Sequence, residues 1–387
     1  MFGGKVMNIV IAIDSFKGSL TSIEAGNAVS TGIKRVYSDA DVFVRPIADG
    51  GEGTVEALTL GMGGEKKRIS VTGPLGESIE CEYGIIESEK LAIVEMSAAA
   101  GITLVPDDLR NPLNTTTYGV GEIIKDAIKS GCRKFIIGIG GSATNDGGVG
   151  MLQALGFDIL DKNGDQVAFG AKGLKDIKYI SDKNVLPELK DCEFNIACDV
   201  KNPLCGELGC SAVFGPQKGA DKETVAQMDA WLDSFADIAK QSFPRADKNA
   251  EGAGAAGGLG FAFLTFLDGK LTGGIELVLK ETKLDQYVKD ADIVVTGEGR
   301  LDSQTVMGKA PIGVAKIAKN HEKKVIAFSG VVTKEATVCN GHGIDAFFPI
   351  LRRISTLSEA MDSSNAYENM ADTAEQVFRT IKAFSDN

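Results

Sequence analysis

Residues 8–14, Asn-Ile-Val-Ile-Ala-Ile-Asp, form an unbroken apolar run that ends on an acid. Such a run marks a strand buried on both faces of a parallel sheet. Apolar positions 23, 28, 29, 33 and 36 then follow a helical stripe, and Thr21 with Glu24 three positions on reads as a capping box. A second strand, 42–47, leads into Ala48-Asp49-Gly50-Gly51-Glu52-Gly53. From about residue 65 the pattern changes to strands joined by tight turns, with 68–72, the turn Gly73-Pro74-Leu75-Gly76, 79–86 and 91–96 reading as antiparallel. A helix over 120–129, a strand over 135–139, a glycine-rich loop, a short helix over 149–155 and a hairpin tip at Asp161-Lys162-Asn163-Gly164-Asp165 come next. Residues 290–297 restore the buried-strand-then-loop pattern, followed by a helix near 312–319 and strands at 325–329 and 346–350.

Alternation of buried strands and helices at both chain ends predicts an α/β fold with a doubly wound sheet. A chain of 387 residues also exceeds the length one core usually serves. The economical arrangement has two domains. Residues 1–70 and 285–387 form a discontinuous three-layer domain of Rossmann or flavodoxin type, and residues 71–284 form an inserted mixed α+β domain.

No apolar run is long enough to span a bilayer, and the opening residues lack the length of a signal peptide, so a soluble cytoplasmic protein is expected. Seven cysteines, an odd number in a large chain, point to reduced thiols. A net charge of −12 opposes attraction to nucleic acid or to an anionic membrane. An anionic ligand would therefore need locally placed Lys, Arg, magnesium or backbone N–H groups. His321 and His342 are the two histidines, both in polar loops, so a general base is sought among carboxylates and lysines. Any metal is sought as magnesium on oxygen ligands.

Six glycine-rich or acidic clusters fall where strands end: 14–19, 49–54, 140–148, 197–204, 252–258 and 297–302. Ligand crevices of open α/β sheets lie at the carboxyl ends of strands. Small residues there let backbone N–H groups approach phosphate oxygens. One such loop is explained as well by a plain turn. Several that also carry Asp, Asn, Lys or Arg supply what phosphoryl transfer to an alcohol needs: metal ligands, cationic donors and a group facing the hydroxyl. Asp49, Asp146, Asp199 and Asp302 are candidates for magnesium or the base, and Lys17 and Arg300 for holding phosphate or carboxylate. Against these stand local roles: Asp14 or Asp302 as helix caps, Lys17 as a solvated loop residue, Asp146 as an Asx turn.

No G-x-x-x-x-G-K-[S/T] run is present. Gly138-x-Gly140-x-x-Ala143 imitates a dinucleotide fingerprint, with Asp158 or Asp161 near the position of a ribose partner. Thr144-Asn145-Asp146-Gly147-Gly148 nevertheless extends the loop where that motif's helix should begin. A hydroxy-acid dehydrogenase using NAD and a non-catalytic small-acid binding protein are the rival readings.

Asp14-Ser15-Phe16-Lys17-Gly18-Ser19-Leu20, Ala48 to Thr54, the loop 140–148, residues 199–205, Phe214-Gly215-Pro216-Gln217-Lys218-Gly219-Ala220, 252–260 and Thr296-Gly297-Glu298-Gly299-Arg300-Leu301-Asp302 recur together, and in this order, in one family. From near residue 8 almost to its end the sequence resembles the class I bacterial glycerate kinases. Ile13 stands where that family commonly has proline, and Met7 falls at its usual start, so residues 1–6 read as an extension or cloning remnant.

The resemblance implies phosphorylation of glycerate by ATP with magnesium, usually at the 2-hydroxyl, in a two-domain α/β fold with the site between domains. It implies that Lys17 and Arg300 hold carboxylate or transferring phosphate. Asp49 or Asp199 would orient the hydroxyl, with those four residues as the catalytic set. Asp146 or Glu298 would support the metal or nucleotide, with Asp199 also a candidate magnesium ligand. Asp14, Ser15, Gly50, Gly51, Gly140, Gly141, Ser142, Asn145 and Asp302 complete the expected binding residues. Glycerate and ATP are the expected partners, without nucleic acid or membrane; oligomeric state is left open, a homodimer being one option.

Overall fold

A computed structural model of the chain describes residues 6–48, 50–51 and 53–385. Its strands, in chain order, are β1 (Asn8–Ile11), β2 (Asp41–Val44), β3 (Glu65–Thr72), β4 (Ser78–Ile86), β5 (Leu91–Glu95), β6 (Lys134–Gly138) and β7 (Asp158–Leu160). They continue with β8 (Tyr179–Ser181), β9 (Glu193–Ala197), β10 (Lys270–Thr272), β11 (Ile293–Leu301), β12 (Lys324–Val332) and β13 (Ala346–Pro349). The chain packs as two compact units. Unit 1 comprises Met1–Asp49, Glu56–Met62 and Ile275–Asn387, and unit 2 comprises Gly50–Val55 and Gly63–Gly274.

Unit 1 holds a five-stranded sheet in the order β13-β12-β11-β1-β2. Every pairing is parallel, with Ile9 opposite both Val42 and Ile293. Its apolar strands are buried as their composition requires: Ile9, Ile11 and Ile13 pack with Val29 and Ile33 of the helix Ser22–Lys34 and with Phe378. That helix begins at the expected capping box, with the Thr21 hydroxyl on the Glu24 N–H and the Glu24 carboxylate on the Thr21 N–H. Counting this unit's strands alone, the spatial order is 2-1-3-4-5, so the winding reverses between β1 and β11. Open α/β sheets place their ligand crevice at the carboxyl ends of the strands at such a switch point.

Unit 2 is built on a six-stranded mixed sheet, β10-β9-β6-β5-β4-β3. Strands β5, β6, β9 and β10 are parallel, while β3, β4 and β5 form the expected antiparallel meander. Gly76, at φ +91°, makes the turn between β3 and β4. The core carries Phe135 stacked on Phe194 at 4.8 Å, with Phe261, Phe263 and Tyr83 fully buried. The predicted boundary at 70/71 cuts β3, whose whole length pairs with β4, and the return to unit 1 comes at residue 275 rather than 285. The inserted region is mixed as expected, its parallel part extended by β9 and β10, which the apolar pattern did not mark. Among the described residues, no helix is long and apolar enough to cross a membrane.

Candidate active site

In unit 1, the chain leaves β1 at Asp14 and folds into a tight loop closed by bonds between Phe16 and Leu20. Strands β11 and β12 run past the end of β1, and Glu298, Gly299 and Arg300 lie on this overhang. Gly297 is required just before it, since a Cβ there would collide with the Phe328 carbonyl of the neighbouring strand. A cavity of about 610 Å³ opens over these carboxyl ends, lined by Asp14, Ser15, Lys17, Glu298, Arg300 and Lys309 together with apolar residues.

Two carboxylates in this cavity are shielded from solvent, Asp14 at 6% and Glu298 at 8% exposure. Asp14 accepts from the Ser15 N–H at 2.6 Å. Glu298 accepts the Thr305 hydroxyl at 2.7 Å and pairs with Lys309 at 3.4 Å. Burial holds its pKa above the ordinary range, against the opposing pull of Thr305 and Lys309. Arg300 is largely exposed and is steered by Asp302 at 3.0 Å. Asp302 does not line the cavity: its other oxygen takes the Gln304 N–H at 2.9 Å, closing the turn that carries Thr305.

Lys309 was not among the expected residues. It is the N-cap of the helix Ala310–Asn320, set by Gly308 at φ +102° before it and Pro311 after it. The signal was present in Gly308-Lys309-Ala310-Pro311, a glycine turn and helix-opening proline around a single cation.

Unit 2 gathers a second set along the carboxyl ends of β5, β6 and β9. Gly50 lies against Ala197 and Gly274, its carbonyl lies beside Gly138, and Gly51 approaches Gly140. No Cβ fits at Gly50, where φ is +88°, or at Gly138. The Val55 N–H donates to Glu95 at 2.8 Å, which pins the segment. Asp199, exposed at the end of β9, accepts the Gly274 N–H at 2.8 Å. Asp49 lies outside the described residues.

The loop 140–148 behaves differently from a phosphate cradle along most of its length. Gly140 and Gly141 face solvent, but Ser142, Asn145 and Asp146 are buried at 8%, 0% and 1% exposure. The Asp146 carboxylate receives four donors: Thr117 N–H at 2.9 Å, Thr117 hydroxyl at 2.8 Å, Gly148 N–H at 3.1 Å and Gly150 N–H at 3.3 Å. Burial raises its pKa, and those four bonds oppose the shift. A carboxylate so enclosed ties the loop to the segment before the helix Tyr118–Lys129. Asn145 donates to Ser211 at 2.9 Å. Glycines 252–258 also serve packing: Gly257, at φ +67°, presses on the Thr144 carbonyl and its own carbonyl accepts from Gly147 at 2.9 Å.

Lys218, inside the motif 214–220, was not among the expected site residues. It is 2% exposed and donates to Ser142 Oγ at 2.9 Å and to the Thr144 carbonyl at 2.6 Å. Burial lowers its pKa from 10.5 to about 8, with Asp146 nearby among the charges that oppose the shift. The imitation dinucleotide motif dissolves here too. Asp161 spends its carboxylate on Asn163 and Asp165 of its own turn, Asp158 bonds Asn184, and the helix Val149–Ala154 has six residues.

The carboxyl-end crevice with paired buried acids and local cations suits anion chemistry. The sequence pattern that defines the glycerate kinase family matches residues 9–382. The chain belongs to the glycerate kinase family. A glycerate kinase of Haemophilus influenzae is 49% identical over 375 residues, covering 97% of this chain and 99% of that one. A glycerate 2-kinase of Escherichia coli is 45% identical over 375 residues, covering 97% and 98%. A crystal structure described as a candidate glycerate kinase 2 from Salmonella typhimurium LT2 superposes with a TM-score of 0.92 at 44% identity, covering 99% of this chain and 100% of that one. This glycerate kinase family member is therefore an enzyme of the kinase class with a mixed α/β fold.

Proposed function

We propose that the chain transfers the γ-phosphoryl group of ATP to the 2-hydroxyl of (R)-glycerate, giving 2-phosphoglycerate and ADP. One observation carries the reading above the rest: identity of 45–49% over 97% of the chain to enzymes named for glycerate phosphorylation. The two compact units correspond in this reading to two domains. Lys17, Arg300 and Lys309 supply the cationic donors that spreading phosphoryl charge requires. Asp199 or Asp49 orients the acceptor hydroxyl and takes its proton. The glycines at 50, 51, 140 and 141 admit backbone close to the ligand. Ser15 and Asp14 frame the cavity of unit 1.

Magnesium, when bound, neutralises charge on phosphate oxygens, and it needs only one or two protein carboxylates. Glu298 and Asp14, both on the cavity wall, fit that need, and exposed Asp199 fits it as well. Enclosed Asp146 does not, because its lone pairs already serve four internal donors; with Ser142 and Asn145 it shapes the loop. Enzymatic work takes place in an aqueous, cytoplasmic setting.

The test is ADP release from ATP that depends on (R)-glycerate and magnesium, with the product resolved by phosphorus NMR. A 3-phosphoglycerate signal would overturn the regiochemistry, and absence of glycerate-dependent ADP would overturn the activity. Asp199→Asn is expected to lower kcat by about 10²–10⁴ with the fold intact. Wild-type turnover in that variant removes Asp199 from the chemistry.

A further inference from the structure

The cavity of unit 1 is larger and more apolar than a three-carbon hydroxy acid requires. At about 610 Å³ it lies within the range that encloses ligands of drug size, roughly 300–1,000 Å³. Glycerate has no apolar face and would leave most of it unfilled.

Sheet order divides the walls by chemistry. Lys17 follows β1 and Arg300 sits on β11, the adjacent central pair, and Lys309 joins them through Glu298. Val331 sits on β12 and Leu351 follows β13, on the opposite side of β11, with Leu357 opening the next short helix. These three side chains are open to solvent, Val331 at 47%, Leu351 at 37% and Leu357 at 79% exposure. A cation-lined half continuous with an uncovered apolar half matches one common ligand shape, a flat base joined through a sugar to phosphates.

We propose that this cavity is the nucleotide site, with the base against Val331, Leu351 and Leu357 and the phosphates toward Lys17, Arg300 and Lys309. The inference rests on the kinase reading and assigns its two substrates: the nucleotide to this cavity, and the hydroxy acid elsewhere. The base is held by apolar contact rather than by a donor and acceptor code. Adenine and guanine nucleotides should therefore bind within about tenfold of each other, as burial alone discriminates weakly.

The full-length enzyme and its L357D variant are titrated with a fluorescent ADP analogue carrying its label on the ribose, and the KM for glycerate is measured at saturating ATP. Leu357 is exposed at the start of a helix where an acidic side chain is favoured, so folding is preserved. V331D and K309M serve as second and third probes. Expected results are at least a tenfold loss of ADP affinity in L357D and V331D, and in K309M a loss for ADP that is absent for adenosine. Unaltered ADP affinity in both apolar variants overturns the proposal, and so does a rise in glycerate KM without a change in ADP binding. Wild-type protein that binds the ADP analogue but releases no ADP with glycerate would instead refute the activity while leaving the nucleotide site standing.

Discussion

Replacing Lys218 by Met tests whether a buried charge anchors the 140–148 loop. The side chain keeps its length, and what is lost is an ammonium that donates at 2.9 Å and 2.6 Å to Ser142 and Thr144. Leaving those acceptors without a donor costs about 1–3 kcal/mol each. Working the other way, a lysine held at about 8 instead of 10.5 reflects burial of the charged form, and relieving it returns about 3 kcal/mol at about 1.4 kcal/mol per tenfold change in acidity. Near pH 7 the two effects largely cancel, and the variant should differ little in stability. The cancellation fails at high pH. Because the folded-state value lies below the unfolded one, the unfolded state binds more protons between pH 8 and 10.5. Wild-type stability gains over that window, by up to about 3 kcal/mol relative to a variant that has no proton to release. Trp231, the single tryptophan, lies in the helix Lys222–Ser242 of the same unit, so its fluorescence in urea follows the environment of that unit. Urea midpoints at pH 7 and pH 9.5 are measured for both proteins. A wild-type minus variant difference that stays flat between them would refute the buried-ammonium account.

Two further outcomes are expected. Gly297→Ala should destabilise unit 1 by about 1–3 kcal/mol or more, since the added methyl meets the Phe328 carbonyl in a sheet that cannot yield, and circular dichroism melting reads the loss. Thiol labelling at pH 8 should be slow in the native enzyme and reach seven groups only in denaturant: all seven cysteines are free, and burial raises Cys81 to about 12 and Cys192 and Cys210 to about 11. Rapid native labelling of all seven would contradict that.

The long apolar runs made unit 1 legible, because a strand buried on both faces must be written in Ile and Val, and the Thr21 and Glu24 pair marked a helix start by its own chemistry. Strands β9 and β10 escaped because Glu193 and Asn195 interrupt the apolar run of the one and the other has only three residues, Lys-Leu-Thr. At the site, glycine clusters announced close backbone approach without saying to what. At Gly50 and Gly138 the neighbour is another loop of the candidate site, whereas at Gly257 it is the interior of the same unit. Asp146 looked like a ligand because sequence does not encode burial of a single acid among N–H donors. Lys218 stood inside the motif 214–220, but its role was not legible, because the partners of a lysine between turn formers lie 74 and 76 positions away.

The order in which unit 1 acquires its strands has a consequence for synthesis on the ribosome. Strand β1 is made first and its neighbour β2 soon after, yet its other neighbour, the middle strand β11, pairs Ile293 with Ile9. At roughly 5–20 residues per second, β1 waits about 15–55 s for that neighbour. Residues 63–274 emerge meanwhile as one uninterrupted stretch, nearly the whole of unit 2. During that interval β1 can pair with β2 along one edge, while the edge that β11 will cover stays open on a strand written Asn-Ile-Val-Ile. Dependence on a chaperone that shields such a segment should therefore fall on the first fifty residues rather than on the larger unit.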